Sequence, residues 1–173
     1  MKNGYGLLYD RKGDIGYEGL FKDDHGFDVN RKLYWKDYSD LFIDSHIESL
    51  ITANHFNPDI SCLLWNWPLI SLKRMVIGND CFENVNRFVI DGLTKLESVK
   101  IGKHSFKLSE DTRKGSKCLI MNCDRLREVE IGDSFFWYEV FELKNLPSLH
   151  SIQMGCGAFR DNHSIVFESD NDE

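Results

Sequence analysis

The segment Leu96-Glu97-Ser98-Val99-Lys100-Ile101-Gly102-Lys103-His104-Ser105-Phe106 contains a phrase that recurs along the chain. A leucine, a second apolar residue and an isoleucine or methionine precede a glycine, and a phenylalanine follows within about five residues. The other clear copies begin at Leu72, Leu126 and Leu149. Repetition at about 20–50 residues is typical of solenoids, in which each repeat contacts only its neighbours. We therefore predict a stack of coils instead of one compact core.

An eroded fifth copy begins at Ile47, and the five starts are then spaced by 25, 24, 30 and 23 residues. The long spacing coincides with the polar stretch 108–117, which we interpret as a loop inserted into one coil. A second interpretation of residues 39–54 stays open, because Ile43, Ile47, Leu50 and Ile51 also fit the apolar stripe of a helical cap. The match to the repeat favours a degenerate coil.

Each interval also contains a second short apolar run, bounded by Gly, Asn and Asp. Two β-prone runs per repeat predict a mainly β solenoid with two short parallel strands per coil and little helix. The second runs are Phe88–Ile90, Cys118–Met121, Val140–Leu143 and Ile165–Phe167. The predicted divisions are an N-terminal β-hairpin over 1–28, a connector over 29–40, about five coils over 41–168 and an acidic tail over 169–173.

Alternation in the first strand of each coil separates core residues from surface residues. Leu96, Val99 and Ile101 are expected to point inward, and the glycine that follows is expected to adopt a positive φ in a tight turn. The phenylalanines should stack in the core as a spine. The glycines are Gly78, Gly102, Gly132 and Gly155, and the phenylalanines are Phe82, Phe106, Phe136 and Phe159.

The remaining residues of these strands should form two columns on the outer face of the sheet. Lys100 should lie opposite Glu130 as a cross-strand ion pair. We interpret this face as a candidate partner-binding surface, with a merely solvated face as the alternative. Its members are Arg74, Val76, Lys100, Glu128, Glu130 and Gln153.

A run of aromatic residues follows the Gly132 turn. Only Phe136 is needed for the spine, so Phe135, Trp137 and Tyr138 contain aromatic area in excess of the repeat. Exposed aromatic residues are frequent hot spots in protein interfaces, and these three complete the candidate surface. Packing against the inserted loop is the alternative.

Composition narrows the class of function. A net charge of −7 argues against nucleic acid as a partner, and no apolar stretch is long enough to span a membrane. Five cysteines at irregular spacing argue against a disulfide framework and, without an apolar leader, predict a cytoplasmic protein. No His or Cys spacing typical of a metal site, no cofactor motif and no catalytic constellation occurs, so we expect a non-enzyme.

The repeated phrase resembles leucine-rich repeats of the BspA-like type over roughly residues 41–168. The resemblance implies protein–protein interaction with an unidentified partner. Because glycine stands at the turn where many such repeats have asparagine, no asparagine ladder is expected. Tyr17-Glu18-Gly19-Leu20-Phe21 resembles the core of a MORN repeat, which implies a β-hairpin and, as an alternative function, a scaffold that contacts lipid.

Overall fold

Alternating side chains define short strands throughout the repeat. In Ser98–Ile101, Val99 and Ile101 are buried whereas Ser98 and Lys100 face outward. The computed structural model describes the backbone of residues 4–9, 15–22, 25–27, 32–35, 47–66, 69–133, 138–158 and 164–168, with side chains from residue 47 onward. Every described strand after residue 46 pairs in parallel with its equivalents in neighbouring coils, so the predicted solenoid of about five coils is confirmed.

Two parallel sheets form opposite walls of the stack; each of the five coils contributes one strand to each wall, and one further strand precedes them in the larger sheet. The six-stranded sheet consists of β4 (Lys32–Trp35), β5 (Ser49–Thr52), β7 (Arg74–Ile77), β9 (Ser98–Ile101), β11 (Glu128–Ile131) and β13 (Ser151–Met154). The five-stranded sheet consists of β6 (Cys62–Trp65), β8 (Arg87–Asp91), β10 (Lys117–Met121), β12 (Val140–Lys144) and β14 (Ser164–Glu168).

The register of the strands follows the sequence repeat. Ser98 pairs with Arg74 on one side and with Glu128 on the other, as the alignment of the copies requires. The eroded copy takes part as well, because Ser49 pairs with Arg74 and Leu50 with Met75. Residues 47–54 therefore form a coil and not a helix, while residues 39–46 lie outside the described part.

The core between the walls contains the inward residues that the repeat predicts. Leu96, Val99 and Ile101 are buried. The phenylalanine spine is confirmed where the structure describes it: the ring centroids of Phe82 and Phe106 are 5.3 Å apart, and Phe56 meets Phe82 at 5.6 Å. The two later members of the predicted spine lie outside the described residues.

The expected positive φ of the repeat glycines is wrong. Among the described glycines, positive φ occurs at Gly92, Gly115 and Gly157, none of which ends a strand of the six-stranded sheet. Instead, the repeat glycines allow the backbones of neighbouring coils to approach each other closely. A Cβ atom on Gly78 would lie 2.6 Å from the carbonyl oxygen of Ala53, and one on Gly132 would lie 2.6 Å from the backbone nitrogen of Lys103. Glycine is required there because the neighbouring coil occupies the space of a side chain.

The expectation that no asparagine ladder forms is also wrong. The Asn54 side chain accepts a hydrogen bond from the Asn79 backbone N–H at 2.8 Å, and the Asn79 side chain accepts one from the Lys103 N–H at 2.9 Å. At the other turn, Asn145 Nδ2 donates to Asn122 Oδ1 at 2.9 Å. One ladder lies one residue after the repeat glycine, and the other lies at the opposite turn of the coil. Glycine at the turn position where asparagine was expected therefore did not exclude a ladder.

The N-terminal region contains one strand more than the predicted hairpin. β1 (Gly4–Tyr9), β2 (Ile15–Lys22) and β3 (His25–Phe27) form an antiparallel sheet in that order. The predicted connector 29–40 contains β4, which pairs in parallel with β5 and extends the six-stranded sheet. Residues of β2 approach β4 to within 8 Å between Cα atoms.

The predicted insertion 108–117 is shorter than expected. Leu108 is buried in the core, and Lys117 begins β10. Between them lies the one-turn helix α1 (Glu110–Arg113), whose N-cap is Ser109 with a reciprocal capping box to Thr112. The inserted polar segment therefore does not disturb the strand register, because β10 still pairs with β8 residue for residue.

Candidate interaction surfaces

The six predicted sheet residues share the outer face of the six-stranded sheet. Strand pairing places Glu130 between Lys100 and Gln153, and Lys100 next to Val76. The predicted ion pair is present, with Lys100 Nζ 2.7 Å from Glu130 Oε1. The candidate residues on this sheet therefore form a single continuous surface.

Charges on this face are only partly neutralised. Beside the column that contains Val76, Lys100 and Glu130, a second column contains Arg74 and Glu128. Both are exposed, and Ser98 lies between them. No ion pair to either of them occurs within the described part of the chain. Two charges of opposite sign therefore remain available to a partner, about two strand spacings, or ~10 Å, apart.

Two ion pairs lie at the margins of this face. Lys73 Nζ is 3.0 Å from Glu48 Oε2, and Lys103 Nζ is 2.8 Å from Asp133 Oδ2. The hydrogen bond and charge of Lys103, with a further hydrogen bond from the Cys156 backbone, lower the pKa of Asp133. The Asp133 side chain thus links three successive coils at the turn.

Tyr138 is not the exposed aromatic residue that the sequence predicted. Its side chain is only 1% exposed, and its hydroxyl donates a hydrogen bond to the carbonyl oxygen of Val85 at 2.6 Å. The ring lies 6.0 Å from that of Phe106 and fills the core, where burial raises the phenol pKa well above its usual value. Phe135 and Trp137 lie outside the described residues, so their assignment stays a prediction.

A second surface, on the outer face of the five-stranded sheet, was not predicted. Leu64, Val89 and Leu119 lie side by side on successive strands; Leu64 is 55% exposed and Leu119 is half-buried, whereas Val89 is only 6% exposed. Arg87 lies directly opposite Lys117 in the adjacent column. Like charges opposite each other are unfavourable, and neither has an ion-pair partner among the described residues. Aligning the second runs as carefully as the first would have identified this face.

Imidazoles line the turn that follows the six-stranded sheet. Asp80 lies between two histidines: its Oδ1 is 3.3 Å from His104 Nδ1, and its Oδ2 is 3.8 Å from His55 Nδ1. All three have positive φ, a backbone conformation that is typical of tight turns and is more frequent for His and Asp than for most residues. Within the described ranges, no group of three or more His, Cys, Asp or Glu side chains is arranged to hold a metal ion.

The five cysteines are free and fall into two groups. Cys81, Cys118 and Cys123 are buried, and burial raises the pKa of each thiol, that of Cys123 to about 11. These three stay protonated at neutral pH and are poor nucleophiles. Cys62 and Cys156 are exposed, contrary to the usual burial of free cysteine.

No helix in the described part of the chain is long and apolar enough to cross a membrane. The side chains of the N-terminal strands are not among those described, so the lipid contact suggested for this region stays a prediction. No family model matches the chain. No curated protein and no solved structure matches it either.

Proposed function

We propose that the protein is a non-catalytic protein-interaction module that binds its partner on the outer face of the six-stranded sheet. Solenoids typically use the extended surface that their stacked strands create. Arg74 and Glu128 carry the proposal: they are exposed charges of opposite sign without an ion-pair partner among the described residues. A partner with an acidic and a basic group at the same spacing would form an ion pair with each of these two residues.

Apolar area at one end of this face favours binding over simple solvation. Ile51 and Val76 are only half-buried and lie beside each other on β5 and β7. An apolar patch bordered by charges is a common arrangement in protein interfaces. The partner that fits is therefore a protein segment with apolar residues at one end and charged residues along its length.

The assignment to known repeat classes is part of this proposal. The recurring glycine and phenylalanine support leucine-rich repeats of the BspA-like type, and Tyr17-Glu18-Gly19 supports a MORN-like N-terminal region. Exposed Cys62 and Cys156 without a disulfide fit a reducing compartment such as the cytoplasm.

The test compares two triple variants of the whole chain in affinity purification from the source cell with quantitative mass spectrometry. One changes the six-stranded face: Arg74→Glu, Lys100→Glu and Glu128→Lys. The control also changes three exposed residues, on the five-stranded face: Leu64→Glu, Arg87→Glu and Lys117→Glu. We expect the first variant to lose the partners of the wild type and the second to keep them.

Two outcomes would contradict the proposal. Loss of the partners only from the control variant would assign binding to the five-stranded face. Retention of the same partners by both variants would exclude both sheet faces. All six substitutions are at outward positions, so circular dichroism should show an unchanged fold in both proteins.

A further inference from the structure

The last described coil exposes side chains at positions that the preceding described coils bury. Ile165 and Phe167 on β14 are 44% and 52% exposed. Their register partners on β12, Phe141 and Leu143, are 0% and 2% exposed. These are core-facing positions, and their exposure arises because no coil lies beyond β14 among the described residues.

The other wall ends in the same way. Met154 on β13 is 47% exposed, whereas its partner Ile131 on β11 is 1% exposed. Among the described strands, β13 and β14 each have a pairing partner on one side only. The end of the stack therefore combines an apolar core surface with two strand edges whose outward backbone groups are available for hydrogen bonds.

Neither edge has the charges that usually protect such strands. β13 contains no charged residue, and β14 contains only Glu168. Each strand from β7 to β12 contains at least one charged residue, although all of them lie inside a sheet. Natural edge strands are normally blunted by lysine, proline or bulges, so these two are suited to pairing with another chain.

We propose that a second copy of this chain covers this end, forming a two-fold symmetric dimer through β13 and β14. The two-fold axis is perpendicular to the stack and passes through both walls. It reverses the direction of the strands and places each wall in line with the same wall of the partner subunit. Each edge strand then pairs antiparallel with its own copy, and the two cores become continuous. A second copy fits because its two edges have the same separation as those they meet.

The sequence of β14 suits this pairing. With Val166 at the centre, Ile165 faces Phe167 of the partner subunit, and Ser164 faces its Glu168. Apolar residues thus meet apolar residues, and no like charges lie opposite each other.

Sedimentation equilibrium on the whole chain from about 1 to about 100 µM tests the dimer. We expect a monomer–dimer equilibrium in this range, and at least a tenfold higher dissociation constant for Phe167→Glu. Leu64→Glu is the matched control, because Leu64 is similarly exposed but lies on the side of the stack. It should leave the dissociation constant unchanged.

A cross-linking variant tests the register without weakening the interface. Residues directly opposite in an antiparallel pair have Cβ atoms about 5 Å apart, so Val166→Cys should cross-link between subunits with a short bismaleimide. Cys62→Ser and Cys156→Ser remove the exposed native thiols. A monomer throughout the range, a dimer equally sensitive to Leu64→Glu, or no cross-link in this background would overturn the proposal.

Discussion

Gly102 lies so close to Gly78 in the preceding coil that a Cβ atom on Gly102 would overlap the Gly78 carbonyl oxygen. The same carbonyl accepts a hydrogen bond of 2.7 Å from Ser105 Oγ, which holds it in place. Stacked strands are separated by only about 4.8 Å, and a turn that follows them at that spacing leaves no room for a side chain. The glycine column thus fixes how closely successive coils approach.

Gly102→Ala should therefore reduce the free energy of unfolding by about 1–3 kcal/mol, the usual cost of overpacking a rigid site. Gly92→Asn is the control. Gly92 has a φ of +71°, no atom lies within 4 Å of the position that a Cβ atom would take there, and asparagine stands at the equivalent Asn122 and Asn145. Urea denaturation should show a loss below about 1 kcal/mol for this variant. Equal losses would show that conformation and not space selects glycine.

Tyr138→Phe should destabilise the fold by about 1–3 kcal/mol, because the buried carbonyl of Val85 would lose the hydroxyl that donates to it. Tyr138→Ala also removes the ring from the core and should cost more, about 3–5 kcal/mol, by analogy with other aromatic truncations. Thermal and chemical unfolding measure both. A phenylalanine variant as stable as the wild type would show that the hydrogen bond contributes nothing.

Alkylation of the native protein should distinguish the two groups of cysteines. Cys62 and Cys156 are exposed and should react rapidly with iodoacetamide. Cys81, Cys118 and Cys123 are buried with raised pKa values, so little thiolate is accessible at neutral pH. Peptide mass spectrometry gives the sites, and denatured protein, in which all five should react, is the control. Rapid labelling of Cys118 in folded protein would contradict its burial.

The period of the sequence predicted most of the fold, because a parallel stack turns equivalent positions into neighbours. Leu96, Val99 and Ile101 were assigned to the core from one copy, and the other copies repeat the assignment. The Lys100–Glu130 pair followed from the same alignment. In such a fold, aligning the copies of the repeat in the sequence also gives the register in which their strands pair.

Errors arose where contacts between coils decide the outcome. A glycine in the sequence does not tell whether a positive φ or a lack of space selects it, and the neighbouring coil at Gly78 supplies the answer. In the same way, Tyr138 belongs to an aromatic run that exceeds the repeat, yet it reaches a carbonyl 53 residues earlier. The five-stranded face was missed because only the first strand of each coil was divided into inward and outward positions.

Asp133 should make stability depend on pH in the acid range. Lys103 and the Cys156 backbone lower its pKa below the ordinary 3.8, so the folded state favours the ionised form. This contribution is complete above the unfolded-state pKa and is lost as pH falls through the folded-state value. Asp133→Asn keeps an oxygen that can accept from the Cys156 N–H, and it removes the charge together with the second oxygen, which accepts from Lys103. Its deficit relative to wild type should be constant near neutral pH and shrink below about pH 3.8; a deficit independent of pH would exclude the charge as its cause.

The exposed Lys100–Glu130 pair should contribute little to stability and still serve as a probe of binding. Its side chains are 51% and 46% exposed, so a double-mutant cycle with alanine should give a coupling below about 1 kcal/mol that weakens with salt. The swapped variant, Lys100→Glu with Glu130→Lys, should unfold like the wild type because the pair re-forms across the same two strands. Loss of a partner by this swapped protein would then report a change in the charges that the six-stranded face presents, since the fold is retained. A coupling well above this range would mean that the pair is structural, and loss of binding could not be separated from damage to the sheet.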